Sequence, residues 1–298
     1  MSSPSDAVVD VLILGAGWTS QFLVPLLEKE NLSYTLTTRT GKVKDCCAGK
    51  YDDSKILPFQ FDAGSEDDSQ YAQLPTARSV IITFKVEGAD AARKLLETYR
   101  RTHIGAELCR WILLGSTGAY EGDGLHSYTS TYKHSPRTDA EDYVLNETNG
   151  QGAVLCLAGL WGDQRIPSGW VKRVASTKEK LKQKTTLHLI HGDDVARACF
   201  AITKNFVPGR WIVTDQQVYD WWALVEGWAD DLERQAEPAE DGKKPEYKKW
   251  VAELMQEDGV TALPRDNTKL GRRLDSSHFW EMIGIQPETL LTTKGRNS

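Results

Sequence analysis

Apolar residues in this chain gather in short runs of five to eight positions, set between stretches of helix formers. The first run, 8–14 (Val-Val-Asp-Val-Leu-Ile-Leu), passes straight into Gly15-Ala16-Gly17. Further runs at 33–38, 56–62, 79–84, 110–114 and 153–160 read as strands. Segments 19–29 and 89–101 carry helix formers, and Ser135-Pro136 supplies a cap and first-turn proline for a helix over 137–146, with Thr138 and Glu141 as its capping box. Strands that alternate with helices predict a doubly wound parallel α/β sheet covered on both faces, with ligands at the carboxyl ends of the strands.

Beyond position 160 the pattern changes. Eight of the ten tryptophans lie at or after Trp161, and Trp221, Trp222 and Trp228 fall in one predicted helix. Residues 186–190 read as a strand, which turns His188 and His191 to opposite faces, so no metal site is expected there. Asp194 reads as a helix cap and His191 as a hydrogen-bonding residue. The charged run 233–249, with two prolines, reads as a solvated insertion.

Composition narrows the function classes. The chain has 298 residues, 26% charged and 40% apolar, with a net charge of -6 and no basic stripe, which disfavours nucleic acid as a partner. No apolar run approaches the roughly 20 residues of a membrane span, and the polar Met1–Ala7 segment suggests neither secretion nor anchoring. Five cysteines, odd in number and without Cys-x-x-Cys spacing, argue against a disulfide framework or a zinc site. A reducing cytoplasm is the expected setting.

The candidate chemistry begins at the glycine turn. Gly15 permits a tight turn, Gly17 lets backbone approach a pyrophosphate, and the helix opening at Trp18, Thr19 and Ser20 offers N–H groups to its negative charge. Ser20 stands where the usual pattern has a third glycine. The second strand ends in Thr37-Thr38-Arg39-Thr40 rather than an acidic residue, and Arg39 with Lys42 suits the 2′-phosphate of NADP better than the bare ribose of NAD. A Gly-x-Ser-x-Gly elbow and a Gly-x-x-x-x-Gly-Lys loop are both absent, which disfavours a hydrolase and an ATPase.

In order and spacing the chain resembles the extended and atypical branches of the short-chain dehydrogenase/reductase superfamily. The resemblance rests on Gly15-Ala-Gly-Trp-Thr-Ser20, Thr37-Thr-Arg39, Leu114-Gly-Ser-Thr-Gly-Ala-Tyr-Glu-Gly122, Leu157-Ala-Gly-Leu-Trp-Gly162, Ile190-His-Gly-Asp-Asp-Val-Ala196 and Gly209-Arg-Trp-Ile-Val-Thr-Asp215. It implies a Rossmann-like dinucleotide-binding domain over 1–160 and a smaller C-terminal substrate lobe over 161–298, from which 187–215 returns to the first domain. It further implies that Asp62 approaches the adenine, that Thr83, Phe84 and Lys85 border the ribose, and that Ala158, Gly159 and Leu160 border the nicotinamide. Pairing of helices near 89–103 and 136–148 in extended relatives makes a homodimer an expectation by analogy.

The superfamily's usual Tyr-x-x-x-Lys pair is missing from the helix after strand five, where Arg137 and Glu141 hold the same spacing. Tyr51 and Lys55 have that spacing too but read as loop residues. Arg137 and Glu141 read equally as an exposed ion pair or as groups facing the nicotinamide, Arg137 binding an anionic or carbonyl substrate. Ser116, Thr117 and Tyr120 are the candidate hydroxyls. Three functions compete: an NADP-dependent oxidoreductase acting on a carbonyl or alcohol of a small molecule, a non-catalytic NADP(H)-binding regulator or scaffold, and a non-redox lyase or isomerase with Glu141 as base.

Overall fold

A computed structural model of the chain describes residues 8–43, 50–237 and 244–292. The readings made on Met1–Ala7, on Cys46 and Cys47, and on the middle of 233–249 therefore lie outside the described residues. Strand β1 (Val9–Leu14) leads through the glycine turn into helix α1 (Ser20–Lys29), then β2 (Tyr34–Thr38), β3 (Ile56–Pro58), β4 (Ala77–Ile82), α2 (Ala89–Thr102) and β5 (Arg110–Ser116). The chain continues with a short β6 (Gly124–His126), α3 (Pro136–Asn146), β7 (Gly152–Leu157), β8 (Gly159–Trp161), α4 (Val171–Val174), α5 (Lys178–Lys182), β9 (Thr186–Leu187) and β10 (Leu189–His191). It closes with α6 (Gly192–Lys204), β11 (Gly209–Val213), β12 (Tyr219–Asp220), α7 (Trp221–Arg234), α8 (Tyr247–Glu257), β13 (Arg272–Leu274) and α9 (Ser277–Ile283).

Seven of these strands form one parallel sheet in the order β11-β7-β5-β4-β1-β2-β3. Successive side chains along a strand face opposite ways, so Val11 and Ile13 of β1 join the core under α1, α6 and α9, while Leu12 and Leu14 join the core under α2 and α3. Burial on both faces is why the strands read as near-continuous apolar runs. Strand order reverses between β1 and β4, which opens a crevice at their carboxyl ends.

The later segments split their allegiance. Helix α6 packs on α1, and β11 completes the sheet beside β7. Trp221, Trp222, Tyr247, Val251 and Leu254 instead form a separate core with α4 and α5, which is where much of the tryptophan content goes.

Several predicted elements are shorter or divided. Strand 56–62 stops at Pro58, whose ring nitrogen has no proton for a ladder bond. Run 153–160 splits into β7 and β8, because Ala158 N–H donates to Val213 O and Gly159 N–H turns away to His188 O. Run 186–190 likewise divides into β9, paired with β12, and β10, paired with β8. Much of 233–249 is bordered by helix, since α7 runs to Arg234 and α8 begins at Tyr247. The capping box of α3 joins Ser135 to Thr138, not Thr138 to Glu141; each side chain accepts the other residue's N–H, at 3.3 and 2.7 Å.

Candidate functional site

The crevice at the switch point is a cleft of about 1020 Å³. Gly15 adopts φ +97°, and a Cβ there would lie 2.7 Å from Thr83 Oγ1 and 3.1 Å from the Phe84 ring. Only glycine fits this turn without displacing the end of β4. Thr37 Oγ1 accepts the Gly15 N–H at 3.0 Å, and Thr83 Oγ1 donates to Leu14 O at 3.1 Å, so hydroxyls from β2 and the β4 end hold the loop from either side. Gly17 is exposed, and a Cβ on it would meet nothing nearer than 3.9 Å, so its backbone faces the open cleft.

Helix α1 starts directly behind this loop. Thr19 is its buried N-cap, makes no side-chain cap bond, and the first turn holds no acidic residue, which keeps the positive end of the helix available to an anion. Ser20 is wholly buried. Tyr51, read above as a loop residue, is buried, and its hydroxyl donates to Gly17 O at 3.4 Å.

Arg39 and Lys42 are exposed and line the cleft after the end of β2 together with Thr38, whose Oγ1 is buried without a hydrogen-bond partner among the described residues. Phe61 and Phe84 also line the cleft, with rings stacked at 5.8 Å. Asp62 is exposed, with Oδ1 accepting the Gly64 N–H at 2.9 Å, and it is its neighbours Gln60 and Phe61 that line the cleft. Lys85 lines the cleft but pairs with Glu87 at 2.6 Å. Ala158 is buried, Gly159 and Leu160 are part-buried, and none of the three lines the cleft.

The other rim comes from the turn after β8. Asp163, Gln164 and Arg165 line the cleft, and the Arg165 guanidinium lies over the Trp18 ring at 4.2 Å. The sequence reading missed Arg165, and its number carries no signal for it: the contact joins positions far apart in the chain.

The predicted catalytic residues sit around the end of β5, outside the residues lining the cleft. Ser116 is part-buried, and its Oγ accepts the Gly118 N–H at 3.1 Å. Thr117 is buried and donates to Leu157 O at 3.3 Å. Tyr120 is 0% exposed, its hydroxyl is unpartnered among the described residues, and burial pushes its phenol up. That side chain packs the loop into the core between the sheet and α3.

Arg137 and Glu141 are not an exposed pair. Glu141 is 1% exposed and accepts from Arg137 Nε at 3.2 Å and from Arg210 of β11, which is itself buried. Arg210 also donates to Asp142 Oδ1 at 2.8 Å and lies 4.1 Å over the Tyr132 ring. A Cβ on Gly115 would strike Glu141 Oε1 at 2.8 Å, so the glycine in β5 makes room for the carboxylate. Arg137, 30% exposed at its side chain, donates to Leu114 O at 3.0 Å.

The roles read for His191 and Asp194 are exchanged in the structure. His191 Nδ1 accepts the Asp193 N–H at 3.2 Å as the cap of α6, whereas Asp194 lies inside the helix and accepts the N–H groups of Glu288 and Thr289, both at 2.9 Å. Nε2 of His188 accepts the Leu274 N–H at 3.1 Å, so that ring is structural.

No protein-family model and no curated protein matches the sequence. Solved structures do match over nearly the whole chain. Vestitone reductase from alfalfa superposes with TM-score 0.66 at 17% identity, covering 95% of this chain and 94% of that one. The NAD-dependent NDP-hexosamine 5,6-dehydratase TunA gives 0.62 at 13%, over 96% and 95%. MoeE5, in complex with UDP-glucose and NAD, gives 0.57 at 16%, over 95% and 94%. The chain shares the Rossmann-like fold of these solved structures. Helix α3 follows β5 in the chain, and Arg137 and Glu141 stand on it four positions apart.

Proposed function

We propose that the chain is an NADP(H)-dependent oxidoreductase acting on a carbonyl or alcohol of a small molecule. The observation that carries this reading is the cleft itself: a glycine turn with φ +97°, a helix N-terminus with no acidic residue, and exposed Arg39 and Lys42, in no ion pair among the described residues. The donor set suits a diphosphate near Gly17 and α1 and a 2′-phosphate near Arg39. A bound nicotinamide supplies the hydride chemistry.

The residues at the end of β5 then bind and orient the substrate oxygen. Ser116 Oγ accepts from Gly118 N–H, which leaves its own proton to donate to that oxygen. The Arg137 guanidinium stabilises negative charge developing there; it positions and polarises, and it does not serve as the acid. Tyr120, one of the three candidate hydroxyls, is enclosed and takes no part in this arrangement.

A second reading, a dinucleotide-binding protein without turnover, draws support from Glu141, which stands at the lysine position and is bound by two arginines. The same geometry speaks against Glu141 as the base of a lyase or isomerase, because its carboxylate is enclosed. Titration with NADPH and NADH, followed by tryptophan and nicotinamide fluorescence, tests the proposal. NADPH is expected to bind more tightly, with the preference lost in Arg39→Ala; binding of neither would refute the cleft assignment. Binding without hydride transfer across a panel of aldehydes and ketones would select the second reading.

A further inference from the structure

Arg165 is held at the tip of a tight turn. Gly162 N–H donates to Arg165 O and Arg165 N–H to Gly162 O, both at 3.0 Å, with Asp163 at φ 51°. The turn is fastened to α1: Trp18 Nε1 donates to Gly162 O at 3.3 Å, and Gln21 Nε2 donates to Asp163 Oδ2 at 3.2 Å. Behind it, the His191 ring occupies the space a Gly162 Cβ would need, at 2.3 Å, and that ring packs edge-on against Trp161 and Phe22. The backbone is thus fixed from both sides while the Arg165 side chain remains exposed, resting on the Trp18 ring face and in no ion pair among the described residues.

We propose that Arg165 is an anion-binding residue supplied to the cleft from beyond β8, and that its guanidinium pairs with the diphosphate of the bound dinucleotide. The inference rests on the reading of the cleft as a dinucleotide site. Arg165 lines the cleft and rests on Trp18 of the glycine turn, whereas Arg39 and Lys42 line it after the end of β2, so the cations come from two separate elements. Its present partner is a ring face. An exposed contact of that kind is weak, and a guanidinium gives it up readily for a bidentate phosphate contact. The move uncovers Trp18, which gives the event an optical signature.

Three probes separate the two contacts: NADPH, NADH and adenosine 2′-monophosphate, which carries the 2′-phosphate and no phosphate at the 5′ position. Arg165→Gln is expected to weaken NADPH and NADH by the same factor, about tenfold, and to leave the monophosphate unchanged. Arg165→Lys should recover part of the loss. Arg39→Ala should do the reverse, weakening NADPH and the monophosphate but not NADH. If Arg165→Gln leaves NADPH binding within about twofold, or weakens the monophosphate equally, the inference is overturned while the cleft assignment stands on the Arg39→Ala result. If the unmodified protein binds neither dinucleotide, the assignment falls first and the inference with it.

Discussion

Asp215 follows β11 with its carboxyl group buried, accepting from the Tyr219 hydroxyl at 2.7 Å and the Gln217 N–H at 3.0 Å. Burial outweighs those bonds and raises its pKa to about 6. Between pH 4 and 6 the native state therefore holds more protons than the unfolded chain, and this residue's contribution falls as pH rises through that window. His188 works the other way. Burial lowers it to about 4, so the native state binds fewer protons than the unfolded one between pH 4 and 6.5, and its contribution grows with pH. The two largely cancel in the native protein. Asp215→Asn removes one side: relative to the unmodified protein, the variant should gain about 2 kcal/mol between pH 4.5 and pH 7 in urea unfolding. A difference that does not change with pH would show that Asp215 is ionised without penalty.

At the scale of elements, α3 and β11 are joined by charge inside the protein. Glu141 and Asp142 of the helix meet Arg210 of the strand, and Arg137 adds a second cation. A buried pair of this kind contributes little net stability over apolar replacements, but removing one partner strands the other. Arg210→Met is expected to destabilise by about 3 kcal/mol, and Arg210→Met with Glu141→Leu to recover most of that loss, both read by denaturant midpoint at constant slope. A single variant as stable as the parent would mean that Arg137 alone satisfies Glu141. The contrast with the sequence reading is instructive. The main strands, the glycine turn and α3 were legible because they are local: a run of apolar residues, a dipeptide, a Ser-Pro start. The burial of Glu141 was not, because it depends on Arg210, 69 positions away, and on a glycine in a neighbouring strand. Spacing four apart on a helix fixes a shared face and says nothing of what covers it. Arg165 escaped for the same reason, and Tyr120 misled because its place after β5 is visible in the sequence while its enclosure is not.

Over the whole molecule, one sheet separates two apolar layers, and the three thiols of the described residues are distributed between them. Cys199 lies in the layer of α1 and α6, and Cys109 and Cys156 lie in the layer of α2 and α3, all three no more than 1% exposed. Burial raises each to about 12, so none carries appreciable thiolate near neutrality. The sheet thereby carries its own set of clocks. An alkylating reagent, with sites assigned by mass spectrometry, reports how often each layer admits solvent, without any engineered label. Because both layers share the same seven strands, the three sites are expected to react at one common rate. A faster Cys199 would mean instead that the α1–α6 layer lifts on its own, and the wall of the cleft behind the glycine turn would then be the part of the protein that opens first.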